Sequence, residues 1–173
     1  MTACLRRLTA LALPALLLLG CSSPGPIDRS GDFQLALTTD ATEYAAGQPI
    51  TAVAELTYLG DRDSSEIFAI EPPIGFGLRQ LDGSIHLGPS GYPTCLPVEL
   101  QRGEPLRQPF DVSATGPMPG GGSNDSFYLS IFNQPLQLPA GRWAISAKVD
   151  AGTDSGKCQG EIELQASTQI TVR

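Results

Sequence analysis

The chain predicts an all-β protein, an antiparallel two-sheet sandwich, and three observations carry that prediction. Apolar residues recur with a period close to two. The segments between them are punctuated by Gly and Pro, and no amphipathic helix of useful length is found. Many short strands joined by such turns, without intervening helices, pack as two antiparallel sheets.

The strand signal opens at Phe33, Leu35 and Leu37, which alternate with Gln34, Ala36 and Thr38. Ile50, Ala52, Ala54 and Leu56 form a second inward set. Trp143, Ile145, Ala147 and Val149 form a third, with Arg142, Ala144, Ser146 and Lys148 on the outward phase. The longest alternation is at the C-terminus, where Ile162, Leu164, Ala166, Thr168, Ile170 and Val172 point inward. Further strands are expected at Glu66 to Ile70, Leu96 to Leu100, Pro109 to Ser113 and Phe127 to Phe132. Asp82-Gly83 separates Phe76 to Leu81 from Ser84 to Leu87 and reads as a two-residue type I′ hairpin, since both residues tolerate positive φ. That turn pairs Leu78 with Leu87 and Gln80 with Ile85, and sets Arg79 opposite His86. Thr115 to Asp125, with two prolines and the run Gly120-Gly121-Gly122, reads as a mobile loop.

Ahead of these strands lies a different kind of segment. Arg6 and Arg7 precede an apolar run from Leu8 to Leu19, and small Gly20 precedes Cys21, the layout of a cleaved secretory signal. The run holds about a dozen residues and contains Pro14, too short for the roughly 20 that span a bilayer. Leu18-Leu19-Gly20-Cys21 resembles the bacterial lipobox. The resemblance implies that Cys21 becomes the mature N-terminus and carries a diacylglycerol thioether, with a further acyl chain on its amino group. Two or three chains anchor stably, so the membrane is the expected partner, reached through lipid on Cys21. The domain plan is a signal peptide over 1–20, a lipidated N-terminus and flexible Ser/Pro/Gly linker over 21–31, and one folded domain over 32–173. The expected location is the bacterial cell envelope, on the exported side of the cell membrane or the outer membrane.

Composition narrows the function. With Arg6 and Arg7 removed, nine basic residues face 18 acidic ones, a mature formal charge of −9. The basic residues are scattered singly, so there is no electrostatic footprint for nucleic acid. With Cys4 lost and Cys21 lipidated, Cys95 and Cys158 remain in a compartment where disulfides persist, and they are expected to pair. A bridge over that separation removes denatured-state entropy worth roughly 4 kcal/mol in the chain-closure model.

Candidate chemistry is sparse. His86 is the single histidine, so any histidine-dependent nucleophile must run through it, and the hairpin register places it beside Arg79 on a solvent-facing surface. Asp61, Asp63 and Ser65 begin like a calcium loop, yet Glu66 stands where the turn wants Gly and Pro72 where a bidentate Glu is needed. Asp150, Asp154 and Glu161 have the first, fifth and twelfth positions of such a loop, but Gly152 and Ser155 break the pattern. A hairpin connection stapled by Cys158 accounts for them instead. No catalytic residue, metal site or cofactor is assigned, and the chain is read as a non-enzyme.

The stretch Thr42 to Ile50, the Asp82-Gly83 hairpin, Val98 to Glu104 and Leu138 to Trp143 resemble, in order, segments of bacterial Ig-like domains of the intracellular proteinase inhibitor (BsuPI-like) type. The resemblance covers most of Phe33 to Val149. It departs from that pattern at His86 and Leu87, where an aromatic often follows the hairpin, and at Cys95 with Cys158. It implies an immunoglobulin-like sandwich; it does not carry inhibitory activity with it, since a sandwich hosts many functions.

The preferred reading is a lipid-anchored, non-enzymatic Ig-like binding or assembly module of the envelope, with an envelope protein as its partner. The alternatives are a protease inhibitor presenting the Gly88 to Cys95 loop and, more remotely, a metal-dependent hydrolase. Within that loop, Tyr92 and Pro93 are the expected partner-binding residues, because a loop held by a covalent bridge loses less entropy on docking. Tyr is also a favoured interface anchor.

Overall fold

The computed structural model describes residues 25–117, 122–132 and 134–173, with Tyr92 and Pro93 described by their backbone alone. The expected signal peptide and lipidation site, Cys21, lie outside the described residues, as does 118–121 of the Gly-rich segment. The described residues form an all-β sandwich of two sheets with one α-helix.

The first sheet holds β1 (Ile27–Ser30), β2 (Phe33–Thr39), β4 (Ala52–Tyr58) and β9 (Leu106–Pro109), in the order β1-β2-β4-β9. The second runs β10 (Thr115–Pro117), β7 (His86–Pro89), β6 (Gly75–Gln80), β11 (Gly141–Gly152), β12 (Ile162–Val172), β3 (Glu43–Tyr44). β5 (Ser64–Glu71) pairs with the far end of β11, and β8 (Tyr92–Gln101) pairs with β5. All pairings are antiparallel except that of β3 with β12.

The alternating patterns become the two inner faces. Leu35, Leu37, Ala54 and Leu56 of the first sheet are buried, facing Trp143, Ile145, Ala147, Leu164 and Ile170 of the second. Burial of these chains at about 25 cal/mol per Å² of apolar surface is the main favourable term. The predicted hairpin register holds, with Leu78 opposite Leu87, Arg79 opposite His86, and Gln80 N–H donating to Ile85 O at 2.9 Å. The turn itself differs from the expected type I′, because Gly83 is not among the glycines with positive φ. Leu81 N–H instead donates to Arg142 O at 2.8 Å, and the Asp82 carboxylate accepts from Arg142 N–H at 3.1 Å, which ties the turn to β11.

Three expectations are corrected. The folded domain begins before Asp32: Ile27–Ser30, read as linker, is an edge strand whose Asp28 carboxylate also accepts from Gln165 N–H at 2.7 Å. Gly31, at φ 55°, supplies the tight turn that Ser-Pro-Gly composition alone does not reveal. The expected strand at Pro109 to Ser113 lies earlier in the chain, as β9. After it, Asp111 accepts from Ser113 N–H at 2.8 Å and caps a 3₁₀ turn over Val112–Ala114. Thr115–Pro117, read as loop, is the strand β10, which occupies the free side of β7.

The expected strand at Phe127 to Phe132 is instead part of α1 (Gly122–Ile131). Phe127 and Ile131 are buried while Leu129, midway between them, is 71% exposed; a helix turns i+2 away from i and i+4, whereas a strand keeps all three on one face. The segment is apolar at nearly every position, so its period is ambiguous until tertiary contacts choose.

The sandwich has two distinct ends. At one lie the pairs Thr39 with Ala52 and Gly141 with Val172, closed over by α1 and by Ile50 N–H donating to Leu136 O at 2.8 Å. At the other lie Phe33 with Tyr58, Ala151 with Ile162, and the Cys95–Cys158 pair.

Candidate functional site

A cleft of about 350 Å³ opens on the outer face of the second sheet, and the backbone chemistry of two strand breaks creates it. β5 and β6 run in register along the same edge of β11, Ala69 facing Ala151 and Gly75 facing Lys148. Between them stands Pro72-Pro73, and two residues without N–H cannot continue the ladder. The neighbouring pair of strands breaks at the same level. β7 follows β6 and β8 follows β5, leaving only Ser90-Gly91 between them. The result is a crease across the sheet, lined by Ile70, Pro72, Pro73, Pro89, Lys148 and Asp150 among others. Glycine keeps it open: a Cβ at Gly75 would meet Pro89 Cβ at 2.7 Å, and one at Gly91 would meet Glu71 O at 2.8 Å.

The crease is held rigid from one side by the β11–β12 hairpin. Cys158 on that hairpin and Cys95 on β8 form a disulfide pair with Cα atoms 5.7 Å apart, within the range a bridge requires. The connections before Leu96 and after Val149 therefore lie at the same end, as a bridge between them demands. Asp150 accepts from Gly160 N–H at 2.7 Å through one oxygen and faces Lys148 Nζ at 3.4 Å through the other. The ion pair is partly exposed, at 41% and 26% of the side chains, so it orients the two groups more than it stabilises the fold. Beyond the cleft the hairpin is closed by Glu161, which accepts from Thr153 Oγ1 at 2.6 Å, Thr153 N–H at 2.8 Å and Lys157 Nζ at 3.0 Å. The hydrogen bonds from Thr153, with Lys157 adding to them, hold the Glu161 carboxyl down at about 2.

Three proline rings and Ile70 give flat apolar walls, and the Lys148–Asp150 pair with Gln159 and Ser90 gives a polar margin. That combination of apolar walls with a few placed polar groups is the usual make-up of a recognition site.

The segment Gly88 to Cys95 borders this cleft, but it is not a loop. Thr115 pairs with Pro89, Ser90 N–H donates to Ala114 O at 3.0 Å, and Tyr92 pairs with Glu71. The reason is that strand partners on both flanks satisfy its backbone, which Pro and Gly composition does not disclose. Pro89, Ser90 and Gly91 reach the cleft; the side chains of Tyr92 and Pro93 lie outside what is described. Lys148, Gln159 and the Pro72-Pro73 pair are not among the sequence candidates, whereas Asp150, the first position of the calcium-like loop, lines the cleft. Consecutive prolines inside a strand-like stretch were the one available signal, since they mark a forced break in a ladder.

The other sequence candidates stand apart from the cleft. His86 is exposed and opposite Arg79. Asp61 and Asp63 belong to the β4–β5 turn, where Asp63 O accepts from Arg102 N–H at 2.8 Å and Asp61 O from Arg102 Nη1 at 3.5 Å. Asp154 accepts from Gly156 N–H at 2.7 Å, so it shapes its own turn. Trp143 and Phe127 face inward as expected.

One buried group was missed altogether. Tyr44 accepts from Ala41 N–H at 2.9 Å and donates to Asp40 Oδ1 at 2.7 Å, closing the corner between the sheets. Burial, with the Asp40 hydrogen bond adding, pushes its phenol up to about 12.

No family model matches the chain, and no curated protein matches it. Among solved structures it is similar to Spo0M, a sporulation control protein from Bacillus subtilis, at 15% identity and a TM-score of 0.42. The likeness covers 83% of this chain and 50% of that one, so the chain spans about half the length of Spo0M.

Proposed function

We propose that the protein is a lipid-anchored, non-enzymatic binding module of the bacterial cell envelope, and that the crease cleft is its recognition surface. The observation that carries the binding part is the cleft itself: apolar, preformed by two aligned strand breaks, and braced by the Cys95–Cys158 pair. A surface rigid before contact loses little entropy on association. Anchoring rests on Leu18-Leu19-Gly20-Cys21, and the likeness to BsuPI-like Ig domains is compatible with a scaffold that displays a site. The inhibitor alternative draws less support, because a loop that enters a protease must be free of strand pairing and Gly88 to Cys95 is paired on both sides of Ser90-Gly91.

The test places a photo-crosslinking residue at Ser90 in the full chain in its native envelope, with a matched residue at exposed Glu104 as control. Adducts are expected at Ser90, absent at Glu104, and lost when Lys148→Glu reverses the charge at the cleft margin. Equal labelling at both positions, or labelling indifferent to Lys148→Glu, overturns the assignment. Inhibition of an envelope protease by the purified chain would favour the alternative instead.

A further inference from the structure

The surface of α1 is unlike the rest of this acidic protein. Between Asp111 and Arg142 the only charged residue is Asp125. Within this stretch Leu129 is 71% exposed and Phe132 38%, and the Tyr128 and Phe132 rings lie 5.5 Å apart beside them. Exposed apolar groups gathered on one helix mark a contact surface, unlike scattered ones. The buried side of the same helix is already occupied by Phe127 and Ile131.

Where the chain enters the domain identifies what covers this face. Pro26 O accepts from Leu37 N–H at 3.2 Å, so the N-terminal segment joins the sandwich beside Leu37 and Thr38. Those residues lead into Thr39 and Asp40, at the end that α1 closes. Cys21 precedes Gly25 by four positions, a stretch that spans at most about 14 Å fully extended. A bilayer holding Cys21 is thereby kept close to the α1 end, and the crease cleft, toward the disulfide end, faces away from it.

We propose that α1 seats the domain on the bilayer, with Tyr128, Leu129 and Phe132 dipping into the interface between headgroups and acyl chains. This rests on the anchoring reading above. Tyr at the margin and Leu and Phe beneath suit that interface, where an aromatic ring meets an apolar layer and its hydroxyl stays wet. With no basic residue in the stretch, the contact is apolar and independent of anionic lipid. Anchor and helix together fix the orientation of the cleft.

The test uses the full chain as the host processes it, in phosphatidylcholine vesicles with ordinary or brominated acyl chains. Leu129→Trp supplies a reporter on α1, and Glu104→Trp a control at the other end of the sandwich; Trp143 is common to both. Brominated lipid is expected to quench most of the fluorescence added by Leu129→Trp and none of that added by Glu104→Trp. Thermal unfolding checks that both variants fold. A Leu129→Trp signal as bright in brominated as in ordinary vesicles overturns the proposal, whether a second copy, revealed by cross-linked dimers, or a partner protein covers α1. The mass of the Cys21 peptide reports the anchor separately. Acyl mass with an unquenched reporter refutes seating alone, whereas absent acyl mass refutes anchoring and seating with it.

Discussion

Phe127 stacks on Trp143 across the end of the sandwich, with ring centroids 5.5 Å apart and planes 22° from parallel. Trp143 is fully buried and its indole N–H donates to Pro139 O at 3.0 Å, so one side chain joins β11, the segment leading into it, and α1. The stack is what gives a helix of ten residues, too short to persist alone, a fixed place. Phe127→Ala should therefore lower unfolding free energy by about 3 kcal/mol, while Leu129→Ala, on the exposed face, stays within about 0.5 kcal/mol. Denaturant unfolding measures both. The near-ultraviolet dichroism of the single tryptophan should change in the first variant only.

The Cys95–Cys158 pair closes a separation of 63 residues. Cys95→Ser with Cys158→Ser should cost roughly 4 kcal/mol by chain closure. Hydrogen exchange should quicken first at the β11–β12 connection and at the crease, and last in the central pairing of β11 with β12. Uniform quickening throughout would mean that the bridge stabilises the fold without bracing the cleft.

Tyr44 makes stability fall in alkali. Its folded value of about 12 lies above the ordinary 10.0, so the neutral phenol is the form the fold prefers. The contribution is complete below pH 10 and is lost as pH rises through about 12. Tyr44→Phe should remove that alkaline dependence and, by leaving Asp40 and Ala41 short of a partner, cost about 1 kcal/mol at neutral pH. Unfolding curves between neutrality and strong alkali test both effects.

Glu161 acts with the opposite sign. Its carboxyl, held at about 2 against an ordinary 4.5, contributes fully above pH 4.5 and loses that contribution as pH falls through about 2. Carbon-detected NMR of the Glu161 carboxyl should show this low titration. Thr153→Ala should raise it more than Lys157→Met does, because the Thr153 hydroxyl bond, the one that Ala removes, is the largest single cause. The reverse order would shift the credit to the ion pair.

Strands with one wet face were legible because a period of two admits no helical rival. Ile162 to Val172 was read from its first residue to its last, and the Leu78 to Leu87 pairing followed from where the turn had to fall. Phe127 to Phe132 was not legible, since a segment apolar at nearly every position carries no period. Nor was the edge strand Ile27–Ser30, whose alternation is too brief to outweigh its Ser and Gly neighbours.

The sequence by itself determined the sandwich class, the inward sets of the long strands and which two cysteines could meet, because these depend on residue type and spacing along one segment. Tertiary structure decided that Pro72-Pro73 and Ser90-Gly91 break neighbouring strands at one level, that Lys148 and Asp150 margin the crease between them, and that α1 forms at the end where the N-terminal segment enters. The physical reason is that each of these joins residues distant in the chain. Which backbone groups find partners, and which side of an apolar segment meets the core, is settled only when the sheets pack.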